Sequence, residues 1–557
     1  VIQQELYFVD PEAGLTYLRR LLVCVFAGSA LFLAQQMRAS SHPESSYDVV
    51  VYGATASGAM AALAAGREGM HVVLLEPGNH VGGMLTGGLS ATDVGNPNVI
   101  GGYTLEFFER VGRYYDMQQY DQKVSWRFEP HVGEEILRSM LNEAKVDVRF
   151  HERMRQKDGV TKTANHLTSL ITEDGSIWKG KVFVDATYEG DLMAAAGVTF
   201  AWGREGIAQY GESLAGVRAE TPGHQFKFKL SAYGADGKLL PEISPSPMAP
   251  PGSGDQEVQA FNFRLILTQD PSNLVPFPKP DHYDPHEYQL LANYLCGFRA
   301  QYGRPPRLNE LTIPIGIPNH KADFNNNGPF STDYIGKDWT FPNATYGERE
   351  VIWQDHINYT KGLFYFLAHD PQVPQGLRKE VNTWGFARDE FTDTDHFPFQ
   401  LYIRESRRMI GEYVMTQKDV QAERTKPDVI GMGSYTLDSH NFERVAMADG
   451  SVQNEGNTEV PVEPYQIPYR SLVPMQKQAN NLLVSVCVSA SHVAYSSLRL
   501  EPQYMIMGQA AGVAASMAER TDAPVQNVDI KTLQEKLLRG GALLQLAGPG
   551  LRSSIAP

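Results

Sequence analysis

Gly53, Thr55 and Gly58, spaced Gly-x-Thr-x-x-Gly, and Glu76 beyond them are the residues whose types and spacing state a chemistry. They fit a dinucleotide. Gly53 permits a tight turn out of a strand, Gly58 lets the next helix lie close to the sheet, and the N–H groups at the helix start face a diphosphate whose charge the helix dipole favours. Glu76, about twenty residues on, supplies a carboxylate for a ribose diol and argues against a 2′-phosphorylated nucleotide. Thr55 occupies the middle position, where a glycine normally lets the backbone approach the diphosphate; its hydroxyl is expected to donate to a phosphate instead. An ordinary βαβ unit with a glycine turn is the plainer alternative.

The elements that must position these residues are legible around them. Residues 47–52 read as a β-branched strand, 59–66 as an alanine-rich helix and 71–75 as a second strand. A glycine-dense loop follows over 77–90, then a helix over 131–144, a strand over 146–150, a hairpin-like region over 167–179, and a strand from Lys181 that ends in Asp185-Ala186-Thr187-Tyr188-Glu189-Gly190-Asp191. Between 217 and 468 the prolines cluster, aromatics are dense and dinucleotide signatures are absent, which marks an inserted substrate domain. A strand at 482–486, a helix over about 503–518 and a terminal helix over 530–538, capped by Asp529, complete the chain. The division is 1–46 leader and linker, 47–216 and 469–557 the two parts of a nucleotide domain, and 217–468 the insert.

At 557 residues with 42% hydrophobic content, the chain supports two or three full-sized cores. Its net charge of −15 is spread rather than blocked, which disfavours nucleic acid and anionic membrane surfaces. Arg19-Arg20 precede a short apolar run over 21–34, too brief to span a bilayer, and a polar stretch follows; the region around 15–39 reads as a secretory signal peptide, with an uncleaved anchor as the alternative. Export to the periplasm or outside the cell is the expectation. Cys296 and Cys487, the cysteines beyond Cys24, make no disulfide framework.

Together with the turn and the glycine loop, Asp185 to Asp191 and Leu500-Glu501-Pro502 followed by Gly508-Gln509-Ala510-Ala511-Gly512 carry a resemblance. The chain resembles the FAD-dependent oxidoreductases of the glutathione-reductase-like superfamily, in a bacterial, exported branch sometimes labelled xanthan lyase-like. The middle threonine belongs to that pattern. The resemblance implies an α/β fold, a discontinuous Rossmann-like FAD-binding domain with an inserted α+β substrate domain on a mixed sheet. It also implies that Gly53, Thr55, Ala56, Ser57 and Gly58 hold the pyrophosphate, Glu76 the adenosine ribose, and that Gly82-Gly83-Met84 pass beside the flavin. Met154 would contact adenine through its backbone, Ala186 would lie at the cofactor, and Asp191 would orient the ribityl or pyrophosphate end. A helix beginning near Gly508, with Gln509, Ala511 and Gly512, would aim its N–H groups at the flavin N1 and C2 carbonyl, where reduction places negative charge.

No second dinucleotide turn follows, so electrons are expected to leave to oxygen or another acceptor, and no CxxC pair offers a disulfide relay. His492, between the last strand and that helix, suits a base that takes a proton as a hydride departs, against the plainer reading of a hydrogen-bonded loop histidine. Arg499 with Glu501 reads as a flavin or substrate contact or as a buried ion pair. In the insert, Arg404, Arg407 and Arg408 read as a basic pocket or as i,i+4 partners of acids on one helix. His440, beside Asp438 and Asn441, reads as a substrate contact, and Asn326 in Asn325-Asn326-Asn327 as an amide for hydroxyls or a plain turn. No third spaced ligand accompanies Asp438 and His440, so no metal is expected. The sequence reading is an FAD-dependent oxidoreductase that removes a hydride from a C–H bond of a small polar, carbohydrate-derived substrate. The alternatives are a redox-neutral flavoenzyme, a hydratase or isomerase, and a non-catalytic carbohydrate-binding protein that keeps the fold.

Overall fold

The computed structural model describes residues 44–546 apart from 220 and 222; the basic pair, the apolar run and Cys24 lie outside the described residues. Strand β1 (Glu44–Tyr52), helix α1 (Ala56–Arg67) and strand β2 (Val72–Leu75) form the expected parallel unit, with Val49–Val51 and all of β2 buried. Burial on both faces explains their continuous apolar sequence. Helices α2 (Gly102–Tyr114) and α3 (Pro130–Glu143) lead to β3 (Asp147–Arg149), which extends the sheet beside β2. Strands β4 (Val160–Thr163) and β5 (His166–Ile171) then pair antiparallel with each other, and β5 with the first part of β6 (Ile177–Asp185). The turn between β5 and β6 is the hairpin read from the sequence. The long β6 runs parallel to β1 and so returns the chain to the cofactor end of the sheet.

The insert is built on β7 (Leu265–Thr268), β8 (Leu274–Val275), β9 (Thr312–Ile317), β10 (Lys321–Asn326) and β11 (Gly385–Ala387), in the order β9-β10-β7-β11-β8. All of its pairings are antiparallel, so the mixing of directions falls in the cofactor sheet and not in the insert. Helix α4 (Gln289–Tyr302) and the long α5 (Tyr346–His369), which starts on a Thr345–Glu348 capping box, pack their apolar sides into the insert's core. Residues 404–407 are not helical, and Arg408 opens a two-residue strand with Met409. The helix expected for the arginines is therefore absent, but the ion-pair reading holds: Arg408 takes Glu405 of its own segment together with Glu205, while Arg404 and Arg407 take the distant Asp333 and Asp191.

A small strand β12 (Leu437–Ser439) pairs with β13 (Thr458–Val460), and β14 (Leu482–Val484) adds to the cofactor sheet, parallel to the end of β6. Helices α6 (His492–Leu498), α7 (Glu501–Thr521) and α8 (Ile530–Arg539) are the last among the described residues. The small residues of α7 let it lie directly on α1: a Cβ on Gly508 would fall 2.1 Å from the Ser57 carbonyl oxygen, and one on Gly512 2.1 Å from that of Ala61.

Candidate functional site

At the end of β1 the chain turns through Gly53 at φ +94°, and a Cβ on Gly58 would stand 1.9 Å from the Gly53 carbonyl oxygen. Both positions exclude any side chain. Thr55 is the N-cap of α1: its hydroxyl accepts from Gly58 N at 3.2 Å and donates to the Ala186 carbonyl at 2.7 Å. Its one proton is thus spent on Ala186, which corrects the expectation that Thr55 donates to a phosphate; the threonine ties the turn to the end of β6. Ser57 hydrogen-bonds Ser485 beyond β14, at 2.9 Å between hydroxyls. With Gly58 N capped by Thr55, the amides of Ala56 and Ser57 are the first-turn groups of α1 left for a diphosphate.

Glu76 stands at the end of β2. Its Oε2 accepts from Ala54 N and its Oε1 from Gly78 N, both at 2.7 Å, each oxygen keeping a lone pair for a ribose hydroxyl. Burial pushes its carboxyl up to about 7 against the pull of those two amides. Gly82 and Gly83 take φ of +113° and +56°, and a Cβ on Gly83 would lie 2.5 Å from the Tyr188 hydroxyl, which accepts from Met84 N at 2.9 Å. Four glycine positions that a Cβ would obstruct, an acid at the end of β2 and a helix start form a cradle that fits FAD.

Other expected contacts are placed differently. Met154 has its N–H on the Tyr52 hydroxyl and its carbonyl on that of Tyr346, both at 3.0 Å, so its backbone is committed to protein partners rather than adenine. Asp191 is clamped by Arg349 at 2.7 Å and Arg407 at 2.6 Å, and it lines a cavity of about 170 Å³ with Tyr52, Glu189, Tyr346 and Arg349. Helix α7 begins at Glu501 rather than near Gly508. Gly508, Ala511 and Gly512 lie within it, the two glycines serve the contact with α1, and the Gln509 side chain accepts from Tyr103 N at 2.9 Å.

A second buried centre gathers around Arg499. Its guanidinium donates to the Tyr402 hydroxyl at 3.0 Å and to Asp438 through the carbonyl at 2.9 Å and Oδ2 at 3.2 Å, so its ion-pair partner is Asp438 and not Glu501. Asp438 Oδ1 stands 3.9 Å from His440 Nε2, and His440 Nδ1 lies 2.7 Å from Asp333, which also takes Arg404 at 2.9 Å. Arg264 pairs with Asp323 at 2.8 Å, and Asp93 is 4.0 Å away. Arg404 and His440 hold Asp333 below the usual carboxylate range, while burial and Arg404 bring His440 down to about 4. An ionised Asp333 accepting from Nδ1–H fixes the tautomer that leaves Nε2 as an acceptor. That is the chemistry of a base.

His492 differs. Its Nδ1 meets Glu405 at 2.7 Å, its Nε2 faces Ser439 Oγ at 3.5 Å, and Phe442 sits against it edge-on. Glu405 in turn pairs with Arg408, which bonds Glu205 at 2.6 Å. Glu405 thus holds one ring nitrogen of His492 closely, and the other has only the longer Ser439 contact. Asn326 follows Asp323 by three along β10, so pleat alternation puts the two on opposite faces and Asn326 beside Phe324 in the insert's core, away from Arg264. The sequence missed Asp93, Tyr188, Arg264, Asp333 and Tyr402. Only Tyr188 carried a local signal, through its place in the 185–191 run.

The sequence model of the family described as FAD dependent oxidoreductase matches residues 48–537. The chain belongs to that family. No curated protein matches it. Solved structures similar to parts of this FAD dependent oxidoreductase include the OxyS anhydrotetracycline hydroxylase from Streptomyces rimosus, at 16% identity over 29% of this chain and 36% of that one, TM-score 0.21. Another is the L-proline dehydrogenase from P. horikoshii, at 14% identity over 29% and 59%, TM-score 0.23. THI4 from Thermovibrio ammonificans matches at 17% identity over 32% and 74%, TM-score 0.21. The chain spans less than two thirds of the first of these, at 36%. FAD is the cofactor of the family, and the cradle from Gly53 to Met84 holds the residues that would bind it. Bound there, FAD supplies a two-electron acceptor.

Proposed function

We propose that this FAD dependent oxidoreductase removes a hydride from a carbon bearing a hydroxyl in a small, neutral, polyhydroxylated substrate such as a carbohydrate derivative. Oxygen or another acceptor then takes the electrons. The observation that carries the reading is the Asp333–His440 pair, hydrogen-bonded at 2.7 Å, with Nε2 turned toward the Asp438–Arg499 pair. The substrate hydroxyl gives its proton to His440 Nε2 as the C–H hydrogen leaves with its electron pair, and a carbonyl results. Arg499, Tyr402 and Asp438 supply donors and an acceptor that orient neighbouring hydroxyls.

Charge supports a neutral substrate. Asp93, Asp323, Asp333 and Asp438 stand against Arg264, Arg404 and Arg499, so the centre has no positive excess for an acid. Burial raises Asp93 and Asp323, which suits partial neutralisation over binding of a cation. The basic pair and apolar run near the start of the sequence support export. Anaerobic addition of sugars, polyols, amines and carboxylic acids to the FAD-loaded protein tests the reading. Bleaching of the flavin bands by a polyhydroxylated compound is the expected result; bleaching by amines or acids alone would overturn it.

A further inference from the structure

Helices α1 and α7 lie side by side and run the same way, because Gly508 meets Ser57 and Gly512 meets Ala61, four residues on in each. The first residue of α7, Glu501, is seven residues before Gly508 and so projects about 10 Å beyond the level of Ser57. The amides at the start of α1 would hold the diphosphate and Glu76 the adenosine ribose, so the start of α7 would face the other arm of FAD, the ribityl chain and ring.

Glu501 stands there with 1% exposure. Its Oε1 accepts from the Tyr188 hydroxyl at 2.8 Å, and that hydroxyl accepts from Met84 N at 2.9 Å, so the phenol's one proton is directed at Oε1. Oε2 is buried with no hydrogen-bond partner. Among the described residues no cation is paired with the carboxyl: the titratable groups that face it are Tyr188 from the end of β6, Tyr402 from the insert and Tyr504 from α7 itself. Burial pushes it up to about 8. Oε1 is taken by the Tyr188 hydroxyl, so Oε2, buried and without a hydrogen-bond partner among the described residues, is where the proton of a neutral carboxyl would sit.

We propose that Glu501 Oε2 hydrogen-bonds the pyrimidine edge of the flavin ring of FAD, with Tyr188 and Met84 fixing the carboxyl in place. The pyrimidine edge offers ring nitrogen and carbonyl acceptors, and reduction makes them more basic. A donor at the positive end of α7 therefore favours the reduced cofactor. The assignment depends on the family's cofactor and not on the substrate or base proposed above, so its test uses no substrate.

The experiment is a potentiometric titration of the FAD-loaded protein with a spectrophotometric readout. Glu501→Leu is expected to weaken binding of reduced FAD relative to oxidised FAD by about tenfold, a midpoint lowered by ~30 mV for a two-electron couple. Glu501→Gln, which keeps an N–H donor, stays near the parent value, and Tyr188→Phe falls between. An unchanged midpoint in Glu501→Leu overturns the proposal. Should that variant fail to fold or to hold FAD, parent and Glu501→Gln are titrated across pH 6 to 9. A change of slope near about 8 in the parent that Glu501→Gln lacks supports the proposal, and identical slopes overturn it.

Discussion

His440 and His492 stand on neighbouring elements, and their different partners set different expectations. His440→Asn should lower kcat by about 10²–10⁴ while FAD stays bound, since it removes the acceptor for the substrate proton and leaves the cradle intact. His492→Asn should instead lower the thermal midpoint, because Glu405 loses a hydrogen bond inside the core at a cost of about 1–3 kcal/mol; a kcat loss as large as that of His440→Asn would return the base to His492. The pH profile has a definite sign. His440 works neutral and is brought down to about 4, so kcat/KM should rise with pH through about 4 and lie flat from there to neutrality, which stopped-flow flavin reduction would show. A profile that still climbs between pH 6 and 7 would contradict that assignment. The residue types were legible in the sequence; the partners were not, because Asp333 lies 107 positions from His440 and no spacing rule joins them.

At the scale of elements, the reading of the strand-turn-helix was secure because each of its features is local. Gly53, Gly58 and Glu76 are fixed by one turn, one helix start and one strand end. Thr55 was misread for the same reason: a local reading sees a hydroxyl near a diphosphate, while the fold brings the Ala186 carbonyl, 131 residues on, within 2.7 Å of it. The helix read over about 503–518 starts two residues earlier, and the start near Gly508 implied by the resemblance is seven residues late; proline at the first turn, in Leu500-Glu501-Pro502, marks the N-terminus. That contact gives a prediction of its own. Gly512→Leu drives a side chain into the Ala61 carbonyl, and overpacking of this kind costs about 1–3 kcal/mol, so a lowered thermal midpoint and weaker FAD retention are expected together. A midpoint unchanged from the parent would mean that α7 does not lie on α1 this closely.

Across the whole molecule the insert is held to the cofactor domain by buried charge. Lys321 on β10 meets Glu129, before α3, at 2.6 Å and Glu390 at 2.7 Å, and Asp191 meets Arg349 and Arg407. Lys321→Met leaves Glu129 and Glu390 buried without their cation and should lower the unfolding free energy by about 3–5 kcal/mol, readable as an earlier urea midpoint. His131 joins the same junction at 2.8 Å from Glu390, which raises its pKa. A raised folded value means that its contribution is complete below the unfolded pKa of 6.5 and is lost as pH rises through the folded one. The gap in thermal midpoint between the parent and His131→Gln should accordingly shrink from mildly acidic to alkaline pH; a constant gap would sever His131 from the junction. By itself the sequence determined the class of cofactor and the α/β frame that carries it, since glycine turns, buried strands and helix starts are properties of neighbouring residues. Only the tertiary structure decided which partners each histidine has, which carboxylate each arginine takes and where the positive end of α7 points, because burial and pairing join residues far apart in the chain, 59 positions for Arg264 and Asp323 and 107 for His440 and Asp333.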